Sequence, residues 1–561
     1  MQVSNHKTTP WRLLSLVLCI VLPSTFQAQP HFYANESFST ADTLRGMLRP
    51  ERSCYDVNFY DLTVDVYPDK QYIEGEVDLH FTTLTAFTRL QVDLFENMEL
   101  LEARYENASL PFTRQNDAIF ITFPLQAKGQ KGILKLRYSG KPIVARTPPW
   151  DGGFVWGKDA TGKPWIGVAC EGNGASLWWP NKDHLSDEPD SMAIRVSVPA
   201  NLVAVANGQL REVEALGKRK KYHWAVTYPI NNYNVSLNIA DYANWKETYT
   251  AQDGEKLELD YYVLKANETK AKAHFKQVHE VLACFEQYFG KYPFWEDGYA
   301  LVETPYLGME HQGAIAYGNQ YMRGYLGTMI PKDMDWDYII VHETGHEYFG
   351  NSISCNDHAE MWIHESFTTY MEALFIECKY SYEDAVRYLQ SQRAYVENRE
   401  PILGPMNVNW DSWSGSDHYY KGALMLHTLR SVIDNDELWF DLLKRLHLEN
   451  KITNMTSAEV IAHFNKETEL DLIPFFEQYL SYAKLPCLIY DIEESRKGIT
   501  LSYKWETDLA SFNMPLKVGR PGNYTTIQPK VGEWQEVQLR NVSSKQFKVA
   551  KELFLVRSRP K

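Results

Sequence analysis

His342-Glu343-Thr344-Gly345-His346, set within Trp336 to Phe349, decides how this chain reads. Trp336, Ile339, Ile340 and Phe349 recur at helical spacing, so the stretch is expected to be a helix. Residues four apart share a helix face, so His342 and His346 converge on one point and can hold one metal ion. Glu343 sits beside the first ligand, where it can take a proton from a metal-activated water. Nineteen positions after His346, Glu365 opens a second helical stretch, Glu365 to Phe375, and offers a third ligand. Two imidazoles, one carboxylate and an open position make up the donor set of a catalytic zinc, one Zn2+ per chain. A structural zinc would be closed by a fourth protein ligand, and no thiolate belongs to this cluster. The bland alternative is a helix with two unrelated histidines and scattered acids.

Around this centre the chain changes texture. Residues 55 to 245 read as strands, with Tyr60 to Phe81 alternating apolar and polar about a Pro-Asp break. Asp78–Phe81, Leu134–Tyr138, Ala193–Val198 and Tyr222–Val226 continue that pattern, and a β-sandwich or saddle is expected. Lys270 to Phe289 switches to helical period, with Gly290 as its C-cap. Helices are then expected near 335–350, 365–379, 383–398, 420–433, 437–448, 457–468 and 472–483, with Ser457 as an acceptable N-cap. After Pro486 strands return at Ile499–Trp505, Tyr524–Ile527, Glu536–Leu539 and Leu553–Val556. The expected division is therefore a leader at 1–28, an N-terminal β-domain at 29–245, a mainly α catalytic domain at 246–485 and a short C-terminal β-domain at 486–561: a multidomain α+β chain.

The motif and its neighbours resemble one family. HExxH, eighteen residues, then Glu is the signature of zinc aminopeptidases like aminopeptidase N and leukotriene hydrolase. His346-Glu-Tyr-Phe-Gly-Asn351 is similar to the family's H-x-W-F-G-N. Trp362-Ile-His-Glu365-Ser-Phe is similar to its W-x-N-E-G-F, with His364 and Ser366 as departures. Tyr419-Tyr-Lys-Gly-Ala423 resembles Y-x-K-G-A, and Leu307-Gly308-Met309-Glu310-His311 resembles G-x-M-E-N, with Leu307 and His311 as departures. The resemblance runs over roughly residues 55 to 490 and implies a thermolysin-like catalytic domain. The 75 residues after Pro486 are too few for the family's large C-terminal helical domain, so that domain is expected to be absent and the cleft more open.

The resemblance also implies roles. Tyr419 corresponds to the tyrosine that donates to the tetrahedral oxyanion; Tyr420 competes, but the Y-x-K-G spacing selects Tyr419. Gly308, Met309 and Glu310 form the strand that binds substrate, with Glu310 on the free α-amine. Glu171, in Cys170-Glu-Gly-Asn-Gly-Ala-Ser-Leu-Trp-Trp-Pro180, falls where the family usually has Gln and adds a negative charge beside that amine. Its alternative is an ordinary turn residue. Glu372, two helical turns after Glu365, either hydrogen-bonds a ligating histidine or lies on a solvated face. Cys355-Asn-Asp-His358 looks metal-like by composition but reads as a loop between the two zinc helices. Gly172-Asn-Gly174 lacks the third glycine of a dinucleotide loop.

Composition bounds the partners. Fifty-seven basic against 72 acidic residues give a net charge of −15, which argues against a phosphate backbone as ligand, so no nucleic acid is expected. Hydrophobic residues at 44% are enough for several cores and exclude disorder as the main state. Lys7 and Arg12, the apolar run Leu13–Leu22 and Ala28 before Gln29 read as a secretory signal, too short to span a bilayer comfortably, with an uncleaved anchor as the alternative. The mature chain is expected to be exported, periplasmic or extracellular, without a stable membrane span. Outside the leader, six cysteines are scattered with no CxxC, so disulfides are permitted but do not carry the framework. Oligomeric state is not legible. The expected function is an aminopeptidase acting on peptides with a free N-terminus. The alternatives are an endopeptidase, an epoxide-hydrolysing relative, or a non-catalytic protein that kept the fold.

Overall fold

The computed structural model describes residues 31–410 and 412–561, so the expected leader at 1–28 lies outside the described residues. The chain begins with an arm, His31 to Ser53, that carries the helices Thr40–Gly46 and Pro50–Ser53. Ser39 and Asp42 close a capping box at the first of these. Arg52 pins the arm: its buried guanidinium meets Asp93 at 2.8 Å and the backbone carbonyl of Leu44 at 3.3 Å.

The strand Tyr55–Tyr67 is the centre of an eight-stranded sheet. It pairs antiparallel with Tyr72–Thr83 and parallel with Ser191–Pro199. Its alternation buries Tyr60, Leu62, Val64 and Val66, while a bulge between Val57 and Phe59 resets the register. A four-stranded and a three-stranded sheet share its core, as Ile166, Leu90 and Val92 join the same apolar cluster. Strand alternation thus gives the expected sheet-rich N-terminal region.

The expected boundary at 245/246 falls inside the strand Tyr242–Thr250. That strand pairs along its length with Lys256–Leu264, and both belong to a five-stranded sheet with Tyr299–Glu303, Ile315–Tyr317 and Gly308–Met309. Backbone pairing therefore puts residues 242–264 with this sheet, whose edge is Gly308–Met309. The helix Tyr338–His346 packs beside it, Trp362–Lys379 packs on that helix, and Tyr420–Ile433 packs on Trp362–Lys379. A disulfide, Cys284–Cys378, ties the helix Gln277–Phe289 to Trp362–Lys379.

Two local expectations are corrected. The helix Ser457–Thr468 is capped by Thr456, not Ser457: Glu459 lies three residues on and completes a capping box. Leu553–Val556 is not a strand. Its backbone groups are satisfied from the catalytic side instead: Leu555 N–H donates to Thr428 Oγ1 at 2.8 Å, Tyr479 OH donates to Leu555 O at 2.7 Å, and Arg393 donates to Val556 O at 2.8 Å. The final strand is Arg557–Pro560, parallel to Cys487–Tyr490. Among the described residues no helix is long and apolar enough to cross a membrane.

Candidate active site

The helix Tyr338–His346 starts where Asp337 accepts from the N–H groups of Ile339 and Ile340, at 2.9 and 3.2 Å. It ends at once: Gly350, at φ +130°, turns the chain back, and Asn351 N–H reaches His346 O. Gly345 lets the second helix close in, since a Cβ there would already meet Thr368 Cγ2 at 3.1 Å.

His342, His346 and Glu365 form one buried cluster. His342 Nδ1 donates to Glu372 Oε1 at 2.7 Å, and His346 Nδ1 donates to Phe349 O at 3.0 Å. Both Nε2 lone pairs are therefore bare, yet they lie only 3.1 Å apart. Glu365 Oε2 is buried without a hydrogen-bond partner, 3.7 Å from His342 Nε2 and 3.4 Å from His346 Nε2. A tetrahedral zinc with bonds of about 2.0–2.1 Å separates its ligand atoms by roughly 3.3 Å. The donor set, the spacing and the orphaned oxygen all fit that ion. Glu372 is fully buried and also accepts from Gln392 at 3.1 Å, which decides between its two sequence readings: it orients His342.

The cluster opens on a cavity of about 630 Å³, lined by Glu171, Gly308, Met309, Glu310, Glu343 and Tyr419 besides the three ligand candidates. The nine sequence-predicted site residues thus come together. Among the described residues no lysine or arginine lines the cavity, although four carboxylates do. Burial pushes the Glu343 carboxyl up to about 8, against the pull of His342 and His346. Glu171 is raised by burial and by the charges of Glu310, Glu365 and Glu343, and Tyr419 by burial and the same kind of neighbours, Glu365 first. Its phenol is therefore a donor. The Tyr419 ring stacks near His342, with centroids 6.2 Å apart, while Tyr420 also reaches the cavity wall.

The surrounding motifs have physical explanations. Glu171 is a turn residue as well as a cavity residue: Asn173 N–H and Gly174 N–H return to Glu171 O and Cys170 O, and Gly172 and Gly174 have positive φ. The edge strand pairs Gly308 with Tyr317 and Met309 with Ala316, so the departure at His311 leaves its backbone pairing intact. Lys421 donates to Tyr482 O and Ala483 O, both at 2.9 Å, anchoring the start of its helix. Gly422 faces Ser366, whose Oγ would lie 1.7 Å from any Cβ there, so the departure at Ser366 still demands glycine opposite. His364 is neutral, its pKa lowered to about 3 by burial, and accepts the Cys355 N–H at 3.0 Å. Cys355 thereby closes a loop and belongs to no metal-like group.

Sequence reasoning missed Tyr233 and Asn234. Tyr233 OH donates to Glu310 Oε1 at 3.0 Å; Asn234 Nδ2 donates to Asn351 Oδ1 at 2.8 Å, and Asn351 Nδ2 in turn holds Glu310 O at 2.7 Å. Asn234 heads a sequon but is completely buried.

Residues 273–479 match the model of the peptidase family M1 domain. The chain is 23% identical to aminopeptidase N of Lactobacillus helveticus over 76% of its own length and 51% of that relative. It is 24% identical to aminopeptidase N of Escherichia coli over 54% and 35% of the two chains, and 23% identical to leukotriene A-4 hydrolase of Xenopus laevis over 57% and 54%. The chain thus spans about half or less of the length of these relatives. A crystal structure of an M1 zinc metallopeptidase from Deinococcus radiodurans superposes with a TM-score of 0.66 at 20% identity, covering 80% of this chain and 98% of that one. A mutant of that enzyme bound to a Tyr-Ser-Ala substrate matches with a TM-score of 0.64 at 19% identity, over 80% and 98%.

Proposed function

We propose that this chain, whose residues 273–479 match the model of the peptidase family M1 domain, is a zinc aminopeptidase that removes N-terminal residues from peptides. One observation carries the reading. A metal-ready trio, a separate buried carboxylate beside it and two further carboxylates share a cavity that holds no lysine or arginine among the described residues. Such a cavity calls for a metal and for a cationic group on the substrate.

His342, His346 and Glu365 would hold the ion, which when bound polarises the scissile carbonyl and acidifies water. Glu343 takes the proton of the attacking water and passes it to the leaving amine. Tyr419 donates to the oxygen that becomes negative, a contribution of about 2.7–4 kcal/mol for a preorganised donor. Glu310 binds the substrate ammonium, positioned by Tyr233 on its carboxylate and Asn351 on its backbone. Glu171 adds a second charge-assisted contact. Together the two carboxylates close the side on which an endopeptidase would need room for more chain.

Peptide substrates are further supported by the similar enzyme that carries Tyr-Ser-Ala. Export belongs to the same proposal and rests on Lys7, Arg12, the run Leu13–Leu22 and Ala28. The test is a panel of aminoacyl-arylamides beside their N-acetylated forms, with zinc-loaded protein. Cleavage of the free amines alone is expected; rapid cleavage of the acetylated forms would favour the endopeptidase.

A further inference from the structure

The arm that precedes the first long strand reaches the catalytic cavity. Tyr33 and Phe38 meet the ring of Trp410 edge-on, with centroids 5.5 and 5.8 Å away. Asn409 N–H donates to Asp42 O at 3.1 Å, and Gly46 sits so close to Val408 that a Cβ would overlap its backbone. The arm also holds the turn after Glu171, where Arg45 donates to Asn173 O. Asn409 Nδ2 then bridges to Gly172 O at 3.3 Å, the residue next to Glu171. Trp410, Trp413, Met361 and Gly172 all line the cavity, and Trp413 stacks on His418 at 4.9 Å, beside Tyr419.

These contacts set a direction. If Glu171 and Glu310 hold the substrate ammonium, the first side chain leaves the adjacent Cα into this cavity, and Trp410, next to the Asn409 that holds Gly172 O, forms part of its wall. Trp410, Trp413, Met309 and Met361 give the cavity aromatic and thioether surface, and among the described residues its only carboxylates are Glu171, Glu310, Glu343 and Glu365. We propose that Trp410 receives the side chain of the substrate's N-terminal residue, that it selects large apolar residues, and that Phe38 is a positioning residue that keeps the indole there. This deepens the aminopeptidase reading and rests on it.

The test separates the two. Zinc-loaded Glu343→Gln protein is titrated calorimetrically with Phe-Ala and Ala-Ala, then again with Trp410→Ala, Trp410→Leu or Phe38→Ala added. Phe-Ala is expected to bind at least about tenfold tighter than Ala-Ala, from the apolar area covered. Trp410→Ala should shrink that gap to less than about threefold with Ala-Ala little changed, Trp410→Leu should keep part of it, and Phe38→Ala should narrow it at unchanged zinc content. An unaltered gap in Trp410→Ala, or equal weakening of both dipeptides, overturns the wall. Turnover by the parent protein without any gap overturns the wall and leaves the activity standing. A gap without turnover of any arylamide keeps the wall and overturns the activity.

Discussion

A Cβ on Gly308 would lie 2.6 Å from Glu343 Oε1 and 2.8 Å from Ile339 Cγ2. The edge strand and the helix Tyr338–His346 therefore approach as closely as a glycine allows, and in the proposed mechanism substrate backbone and base meet in the gap between them. Gly308→Ala is expected to retain zinc while lowering kcat/KM about a hundredfold, because a displacement near 1 Å at the base costs that much. Elemental analysis with steady-state kinetics reads both. Normal kcat/KM would mean that the strand yields freely.

Tyr419→Phe removes the donor and leaves the ring beside His342. The expected result is a fall in kcat of about 100- to 1000-fold with KM little changed. A change confined to KM would assign Tyr419 to substrate packing, and a larger effect in Tyr420→Phe would transfer the role to its neighbour.

Glu310→Gln should raise KM strongly, since a charge-assisted contact to the ammonium is roughly twice as strong as a neutral one. Glu171→Gln should be milder, because it removes one of four crowded carboxylates and leaves an acceptor. The order of the two KM values checks this, and an unaltered KM in Glu310→Gln contradicts it.

His447 is buried between Phe289 O, which accepts from Nδ1 at 2.8 Å, and Ser352 Oγ, 3.2 Å from Nε2. Burial lowers its pKa to about 4. The unfolded chain, with a value near 6.5, therefore binds one more proton between pH 6.5 and 4. This contribution to stability is complete above pH 6.5 and is lost as pH falls toward 4, up to about 3 kcal/mol. His447→Gln should lower stability at pH 7 but make its decline over that window shallower by one proton. Denaturant titrations at pH 7 and 4.5 test it; identical slopes for parent and variant would contradict it.

The candidate metal centre is legible in the sequence because its geometry is local. Two histidines at i and i+4 share a face whatever surrounds them, and Glu365 opens the next helix. Gly308 and Glu310 were legible only through resemblance, since a two-residue edge strand has no periodicity to read. Tyr233 and Asn234 were hidden because a polar run such as Asn231–Ser236 is buried only when distant partners, here Glu310 and Asn351, satisfy it. The arm was unread for the same reason: its contacts join residues 33–46 to 408–410. Leu553–Val556 has strand-like composition, but its carbonyls and amides are met by Tyr479, Arg393 and Thr428, contacts that no local pattern encodes. The Cys284–Cys378 pair spans 94 residues and was one of many possible pairings.

The central claim is that Glu343 moves protons while His342, His346 and Glu365 hold zinc. It is tested most directly by Glu343→Gln, with zinc per chain and turnover of an aminoacyl-arylamide measured on the same sample beside His346→Ala. The account predicts about one zinc per chain in parent and Glu343→Gln, turnover reduced about a thousandfold in Glu343→Gln, and loss of both zinc and turnover in His346→Ala. Near-normal turnover in zinc-loaded Glu343→Gln would contradict it.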